Sequence, residues 1–166
     1  MVPSMARGTS DEVDGRRDRL LALYDTEWAG LVRLAHLLTG SVHTAEDLVQ
    51  EAFVRAYDAL DDDVRDPQAY MRRVVVNLTR SHHRRRGVEQ RWRDRQPPPG
   101  PVLDADVDDT WHRLQHLNED QRHALVLRFY LDMTVPGIAE VLGRPLGTVK
   151  SDIHRGLAQL AEEVTP

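Results

Sequence analysis

The chain has 166 residues, 40% of them hydrophobic and 30% charged, with no cysteine and a formal net charge of −5. The length suits one or two compact domains, and the lack of cysteine excludes a disulfide scaffold, a thiolate zinc site and a cysteine nucleophile. No apolar run of about 18 residues occurs and the N-terminus is charged, so we expect no membrane-spanning helix, no secretory signal and a cytoplasmic protein.

The chain is expected to begin with a disordered tail and a long helix. Residues 1–15 are polar, with almost no apolar content, and are predicted to be disordered. From Arg16 to Leu38 apolar residues recur every three to four positions, which predicts an amphipathic helix. Gly40 is the residue expected to end it.

Two further helices are predicted in the first half of the chain. Thr44, followed by Asp47, predicts a capping box, and an apolar stripe then continues to Leu60. Asp66 is a good N-cap and Pro67 a good first helical residue, so a third helix is predicted from there. The polar face of the second helix is either only solvated or docks onto a partner through charge pairs.

The third helix runs into an arginine-rich segment. Nine arginines and two acids lie between Arg72 and Arg95, whereas six acids and one arginine lie between Asp104 and Asp120. Local charge decides what a surface attracts, so the first segment predicts a track for nucleic-acid phosphates although the whole chain is acidic. A solvated basic helix end is the alternative. Tyr70, near the start of the segment, is placed to stack on bases.

A proline-rich linker is expected to divide the chain. Residues 97–99 are consecutive prolines, which favour an extended conformation and cannot continue a helix. The predicted organisation is all-α, with a helical domain over 16–95, a linker over 96–106 and a second small helical domain over 107–166.

The second domain is predicted to contain four short helices, the last two of which form a helix-turn-helix. Asn118 and Thr134 are the expected N-caps, Gly143 ends the third helix, and the fourth runs from Thr148 to about Val164. Its predicted inward face consists of Val149, Ile153, Leu157, Leu160 and Val164. In such motifs exposed residues at the start of the last helix point at base edges of duplex DNA. The candidate DNA-binding residues are Arg144, Thr148, Lys150, Ser151, His154 and Arg155. An ordinary helical hairpin is the alternative.

No pattern indicates catalysis or metal binding. His112 and His116 are four residues apart, but no third ligand follows at a suitable spacing. Motifs for a serine nucleophile and glycine-rich phosphate loops are also missing from the sequence. We therefore expect no enzyme activity, no cofactor and no metal site.

Two blocks of the sequence resemble one protein family. Residues 45–57, AEDLVQEAFVRAY, closely resemble the region-two signature of bacterial extracytoplasmic-function (ECF) sigma factors, and residues 146–151, LGTVKS, resemble their region-four recognition helix. The order and spacing of these blocks, the arginine-rich helix end and the short linker are similar over about residues 16–163. The resemblance implies an alternative sigma factor, a non-catalytic subunit that binds RNA polymerase core and directs promoter recognition, DNA melting and transcription initiation.

The resemblance also implies roles for individual residues. Region two would dock on the clamp helices of the largest polymerase subunit through Asp47, Gln50, Glu51 and Arg55. The same domain would open and hold the minus-ten promoter element through Asp62, Arg65, Tyr70, Arg73, Asn77, Arg80 and Arg84. Region four would read the minus-thirty-five element as duplex through the six candidate residues given above. The flap of RNA polymerase core is a further expected contact. An anti-sigma protein is a further expected partner, and no insertion into a membrane is expected.

Several positions depart from the family pattern. His82 and His83 stand where many members have an Asp-x-Leu pattern. Asp152 stands where a basic residue is usual, and a carboxylate that faces phosphates would weaken DNA binding unless it accepts from a cytosine amino group. Pro136 replaces an acidic residue in a first helical turn, where proline is tolerated.

Two other functions stay open on the sequence alone. A helix-turn-helix regulator would bind duplex DNA without polymerase, but it would not need the polar face of residues 44–57. A purely protein-binding helical module would leave Lys150 and Arg155 without a function.

Overall fold

The computed structural model describes residues 8–59, 64–89 and 105–164, and these ranges contain helices and no strand, which confirms the all-α prediction. The helices are α1 (Gly8–Thr39), α2 (Val42–Ala59), α3 (Pro67–Glu89), α4 (Ala105–Leu114), α5 (Glu119–Leu125), α6 (Val135–Leu142) and α7 (Leu146–Val164). A π-helical segment, Val126–Tyr130, follows α5 directly. The candidate residue Asp62 and most of the predicted linker lie outside the described residues.

Local capping chemistry sets several helix ends as predicted. The Asp66 carboxylate accepts from the Ala69 amide at 2.9 Å at the start of α3. Asn118 forms a reciprocal capping box with Gln121 at the start of α5, and Thr134 accepts from an amide of α6. Gly143 ends α6 in a left-handed conformation, with φ of 58°.

Two helix starts differ from the prediction. Helix α1 begins at Gly8, so part of the stretch predicted to be disordered is helical. No proline stands between Gly8 and Arg16, so the sequence allows a helix there. Helix α2 begins at Val42, because the Ser41 hydroxyl accepts from the Thr44 amide at 3.3 Å. The capping box predicted at Thr44 was therefore wrong.

A single apolar core passes through both halves of the molecule. The first half contributes fully buried residues from α1, α2 and α3, among them Leu34, Val49 and Met71. Leu127 and Ile138 supply the corresponding centre of the second half. The halves therefore pack against each other, and this places α3 beside α6.

We call the interface between the two halves the seam. Trp111 of α4 fixes one part of it, at the end of α1. A Cβ atom built on Gly40 would lie 2.0 Å from Trp111 Cζ2, and Gly40 also has a φ of 75°. On the same indole, the Arg122 guanidinium lies 5.2 Å from the ring centroid, and the His36 ring lies 5.9 Å away. Glycine is thus required at position 40 both by the backbone turn and by the close approach of the tryptophan.

A buried histidine and a half-buried one fix another part of the seam. His123 of α5 donates from Nδ1 to the Glu119 carbonyl at 2.8 Å, and its Nε2 lies 3.4 Å from the Thr79 hydroxyl of α3. His83 of α3 donates to the Leu38 carbonyl at 2.9 Å, and the His83 and His123 rings are 5.9 Å apart. Burial lowers the pKa of His123 to about 3 and also lowers the pKa of His83. Both histidines are therefore neutral at pH 7 while the halves are packed together.

Candidate nucleic-acid interface

One face of α2 carries the four residues predicted to bind polymerase. Positions 47, 50, 51 and 55 follow helical spacing, whereas the buried stripe of α2 uses Ala45, Leu48, Val49, Ala52, Phe53 and Ala56. Asp47, Gln50 and Arg55 are exposed, and Glu51 pairs with Arg55. Val54 lies on the same face with 70% of its surface exposed. Sequence reasoning missed Val54, although an apolar residue off the buried stripe was a visible signal.

A second face, on α3, brings together four of the residues predicted to hold melted DNA. Arg73, Asn77, Arg80 and Arg84 are spaced by four, three and four residues, which places them along one side of the helix. Arg73, Asn77 and Arg84 are exposed and Arg80 is half-buried. Arg65 is exposed in the segment that leads into α3.

Contacts across the seam engage one end of this α3 face. Arg73 Nη2 lies 3.5 Å from Glu140 Oε1 of α6, and both side chains are largely exposed. Tyr70 is half-buried and packs against the core. The structure thus places the start of the predicted minus-ten surface against the helix-turn-helix half, while Asn77 and Arg84 stay open to solvent.

The start of α7 presents the third group of candidate residues. Lys150, Ser151, His154 and Arg155 are exposed, and Thr148 is half-buried. Helix α7 begins at Leu146 and not at Thr148, because the amides of Thr148 and Val149 both donate to the Pro145 carbonyl. The exposed residues therefore lie on the second and third turns of the helix.

Asp152 lies inside the helix-turn-helix and not on its DNA-facing surface. Its side chain is 5% exposed, and its two carboxylate oxygens accept from Arg144 Nη1 at 2.7 Å and from Arg155 Nη2 at 3.1 Å. Arg144 also pairs with Asp120 of α5 at 3.0 Å. Two arginines thus hold this carboxylate inside the motif, because position 152 follows the buried Val149 by three residues and shares its side of the helix.

Comparison with known proteins shows two matching families of domain. Residues 23–88 match the model of Sigma-70 region 2, and residues 108–160 match that of Sigma-70, region 4. The RNA polymerase sigma-E factor of Streptomyces avermitilis is 36% identical over 151 residues, which cover 84% of this chain and 81% of that protein. The ECF RNA polymerase sigma factor SigL of Mycobacterium tuberculosis is 32% identical, with 84% and 85% covered. The chain belongs to the ECF RNA polymerase sigma factors.

A solved structure supports the same assignment. The sigma factor RpoE of Bartonella quintana, determined in complex with the anti-sigma factor NepR, is similar with a TM-score of 0.65 and 25% identity, over 90% of this chain and 98% of that one. As an alternative sigma factor, the protein directs transcription initiation and works with RNA polymerase core and promoter DNA. The region 2 match decides against a helix-turn-helix regulator that acts without polymerase.

The sigma factor also has an apolar groove that the sequence did not reveal. Phe129, Tyr130 and Leu157 are 63%, 43% and 44% exposed, and with Leu37, Leu114 and Leu160 they line a groove of about 370 Å³. The predicted burial of Leu157 was therefore wrong. The π-helical segment shifts the register of the helix after Leu125, and Phe129 and Tyr130 consequently face outward.

The described residues add two negative findings. No helix among them is both long and apolar enough to cross a bilayer. Within the same ranges, no group of three or more histidine or acidic side chains is arranged to hold a metal ion.

Proposed function

We propose that this sigma factor uses four surfaces, two for polymerase and two for promoter DNA. The proposed organisation is a region-two domain over 16–95 and a region-four domain over 107–166, joined by the segment 96–106. The observation that carries the proposal is that most residues of each candidate set lie on a single helix, α2, α3 or α7, and that each helix exposes several of them. The exposed members are Asp47, Gln50 and Arg55 on α2, Arg73, Asn77 and Arg84 on α3, and Lys150, Ser151, His154 and Arg155 on α7.

The α2 face is proposed to bind the clamp helices of polymerase core. Asp47 and Gln50 are exposed polar residues beside the exposed Val54, so the face combines charge, hydrogen-bonding capacity and apolar area. Such a combination suits a protein interface, in which apolar contacts are surrounded by polar pairs.

The α3 stripe is proposed to hold the melted minus-ten strand. Unstacking a base costs roughly a few kcal/mol, so an opened promoter needs contacts that exist only with single-stranded DNA. Arginines at positions 73, 80 and 84 can bind the strand's phosphates, and the exposed Asn77 offers both donors and an acceptor to an extruded base.

The α7 surface is proposed to read the minus-thirty-five element as intact duplex. Lys150, His154 and Arg155 are exposed on the first turns of the helix, which is the part that enters a major groove in a helix-turn-helix. Arg144 lies at the turn before α7 and is mostly covered by its acidic partners.

The apolar groove is proposed as the place of the flap contact. Phe129, Tyr130 and Leu157 offer exposed apolar area that a helix of polymerase could cover.

The likeness to a sigma factor solved with an anti-sigma factor leads us to propose an anti-sigma partner here too. Because polymerase supplies the bond-making chemistry, the sigma factor is proposed to be non-catalytic. It is also proposed to work in the cytoplasm.

Binding to purified core RNA polymerase tests the proposed polymerase surface. Replacing Asp47 and Gln50 together by alanine should weaken binding about tenfold or more, measured by fluorescence anisotropy of the labelled full chain. Glu162→Ala, at an exposed position of α7, is the matched control and should bind as the wild type does. If the double variant keeps its helical circular dichroism and binds with wild-type affinity, the α2 assignment is wrong.

A further inference from the structure

The Asp152 carboxylate connects three parts of the helix-turn-helix half. It accepts from Arg144 in the turn before α7 and from Arg155 on the recognition helix, and Arg144 in turn reaches Asp120 at the start of α5. At 5% exposure, Asp152 is shielded from solvent, and charge-assisted hydrogen bonds of 2.7–3.1 Å are strong in such surroundings.

The network orients Arg155 but leaves some of its N–H donors available. Arg155 donates one Nη2 hydrogen to Asp152 and its Nε hydrogen to the Ser151 carbonyl at 3.3 Å, while 63% of the side chain is exposed. A guanidinium has five N–H donors, so about three remain for an outside acceptor. The plane of the guanidinium is thus set by groups of the protein, and its outer edge points to solvent.

We propose that Asp152 is a positioning residue for promoter reading: it orients the Arg155 guanidinium so that this side chain distinguishes one duplex sequence from another. The inference rests on the proposed function, namely that α7 reads duplex DNA. An arginine that is fixed in plane can form paired hydrogen bonds with a base edge, whereas a freely rotating one mainly follows the phosphates.

Charge alone predicts the opposite effect, which makes the inference testable. If Asp152 only repelled phosphates, its neutralisation would tighten binding to every duplex. If Asp152 orients Arg155, the same neutralisation lowers the preference for the correct duplex and leaves binding to other duplexes unchanged or tighter.

The experiment uses the full chain bound to core RNA polymerase and a pool of DNA duplexes with about eight randomised base pairs upstream of a fixed minus-ten segment. The wild-type complex first selects its preferred duplex from the pool. Affinities for that duplex and for a scrambled duplex of equal composition are then measured for each variant. Asp152→Asn should lower the ratio of the two affinities about tenfold. Glu162→Gln makes the same charge change at an exposed position of α7 and should keep the ratio.

The Arg155→Lys variant tests the same inference without changing a buried residue, so the test does not depend on whether Asp152→Asn folds. Position 155 is exposed, so this variant should fold, and it keeps the charge but loses the planar fork. We expect the ratio of its affinities for the selected and the scrambled duplex to fall about tenfold as well. Adding Asp152→Asn to Arg155→Lys should lower this ratio little further. A wild-type ratio in Arg155→Lys, or equal tightening of both duplexes in a folded Asp152→Asn protein, would overturn the inference. If the wild-type complex selects no sequence at all, the proposed function itself fails.

Discussion

The two proposed DNA-binding surfaces differ in how their arginines are held. On α7, Arg155 is bound to a buried carboxylate that also binds Arg144, so its orientation is fixed before DNA arrives. On α3, the exposed Arg84 donates to the Ser81 hydroxyl, and Arg73 pairs with an exposed glutamate across the seam. The first surface is preorganised and the second is adaptable.

This difference corresponds to the two forms of DNA that we assign to the surfaces. Duplex DNA presents base edges at fixed spacing, so a fixed guanidinium gains specificity there. A melted strand is flexible, and exposed arginines on long side chains can follow its phosphates without a fixed geometry. The comparison therefore predicts that substitutions on α7 disturb the structure more than equivalent substitutions on α3.

Removing one arginine from each DNA-binding surface should give the largest difference in the free energy of unfolding. Arg144→Ala leaves the buried Asp152 with one cationic partner, and we expect the free energy of unfolding to fall by about 2–3 kcal/mol. Arg84→Ala removes an exposed side chain and should change it by no more than about 0.5 kcal/mol. Urea unfolding followed by circular dichroism measures both values. Equal losses in the two variants would mean that the α7 network is not preorganised.

The stability of the packing between the two halves of the molecule should depend on pH. Because burial holds the pKa of His123 near 3, the packed form keeps this ring neutral, whereas an exposed histidine titrates near 6.5. The stabilisation is complete above about pH 6.5 and is lost as the pH falls below that value. Between pH 7.5 and pH 5.5 the wild type should lose about 1.4 kcal/mol more stability than His123→Gln.

Thermal unfolding at the two pH values measures this difference. His83 and the cations around the ring, Arg80 and Arg122, are present in both proteins, so most of their titration cancels in the comparison. His112→Gln, which replaces an exposed histidine of α4, is the matched control and should show the wild-type pH dependence. An identical pH dependence in His123→Gln and the wild type would show that His123 is not buried in the seam.

Features that depend on a few neighbouring residues were predictable from the sequence. Asp66, Asn118 and Thr134 cap helices because their side chains reach backbone amides three residues away. The family resemblance of residues 45–57 and 146–151 identified the function for the same reason, since both are contiguous blocks.

Features that depend on tertiary packing were not predictable in this way. The Gly40–Trp111 contact and the burial of His123 join segments that are far apart in the chain. The burial of Asp152 was not visible in the sequence, because only the position of Arg144 shows why a carboxylate is buried there. Leu157 fits the apolar period of α7, yet the π-helical segment leaves an open groove beside it.

The most direct measurement of the central claim is transcription by the reconstituted holoenzyme on two templates that carry the duplex selected above. One template is fully paired, and in the other the minus-ten segment is pre-melted by mismatches. Asn77→Ala should lose about tenfold or more of its activity on the paired template and recover on the pre-melted one, because the cost of base unstacking has been removed. Arg155→Ala should lose activity on both templates, since its duplex contact is upstream of the mismatches. Recovery of both variants on the pre-melted template, or of neither, would contradict a division of labour between α3 and α7.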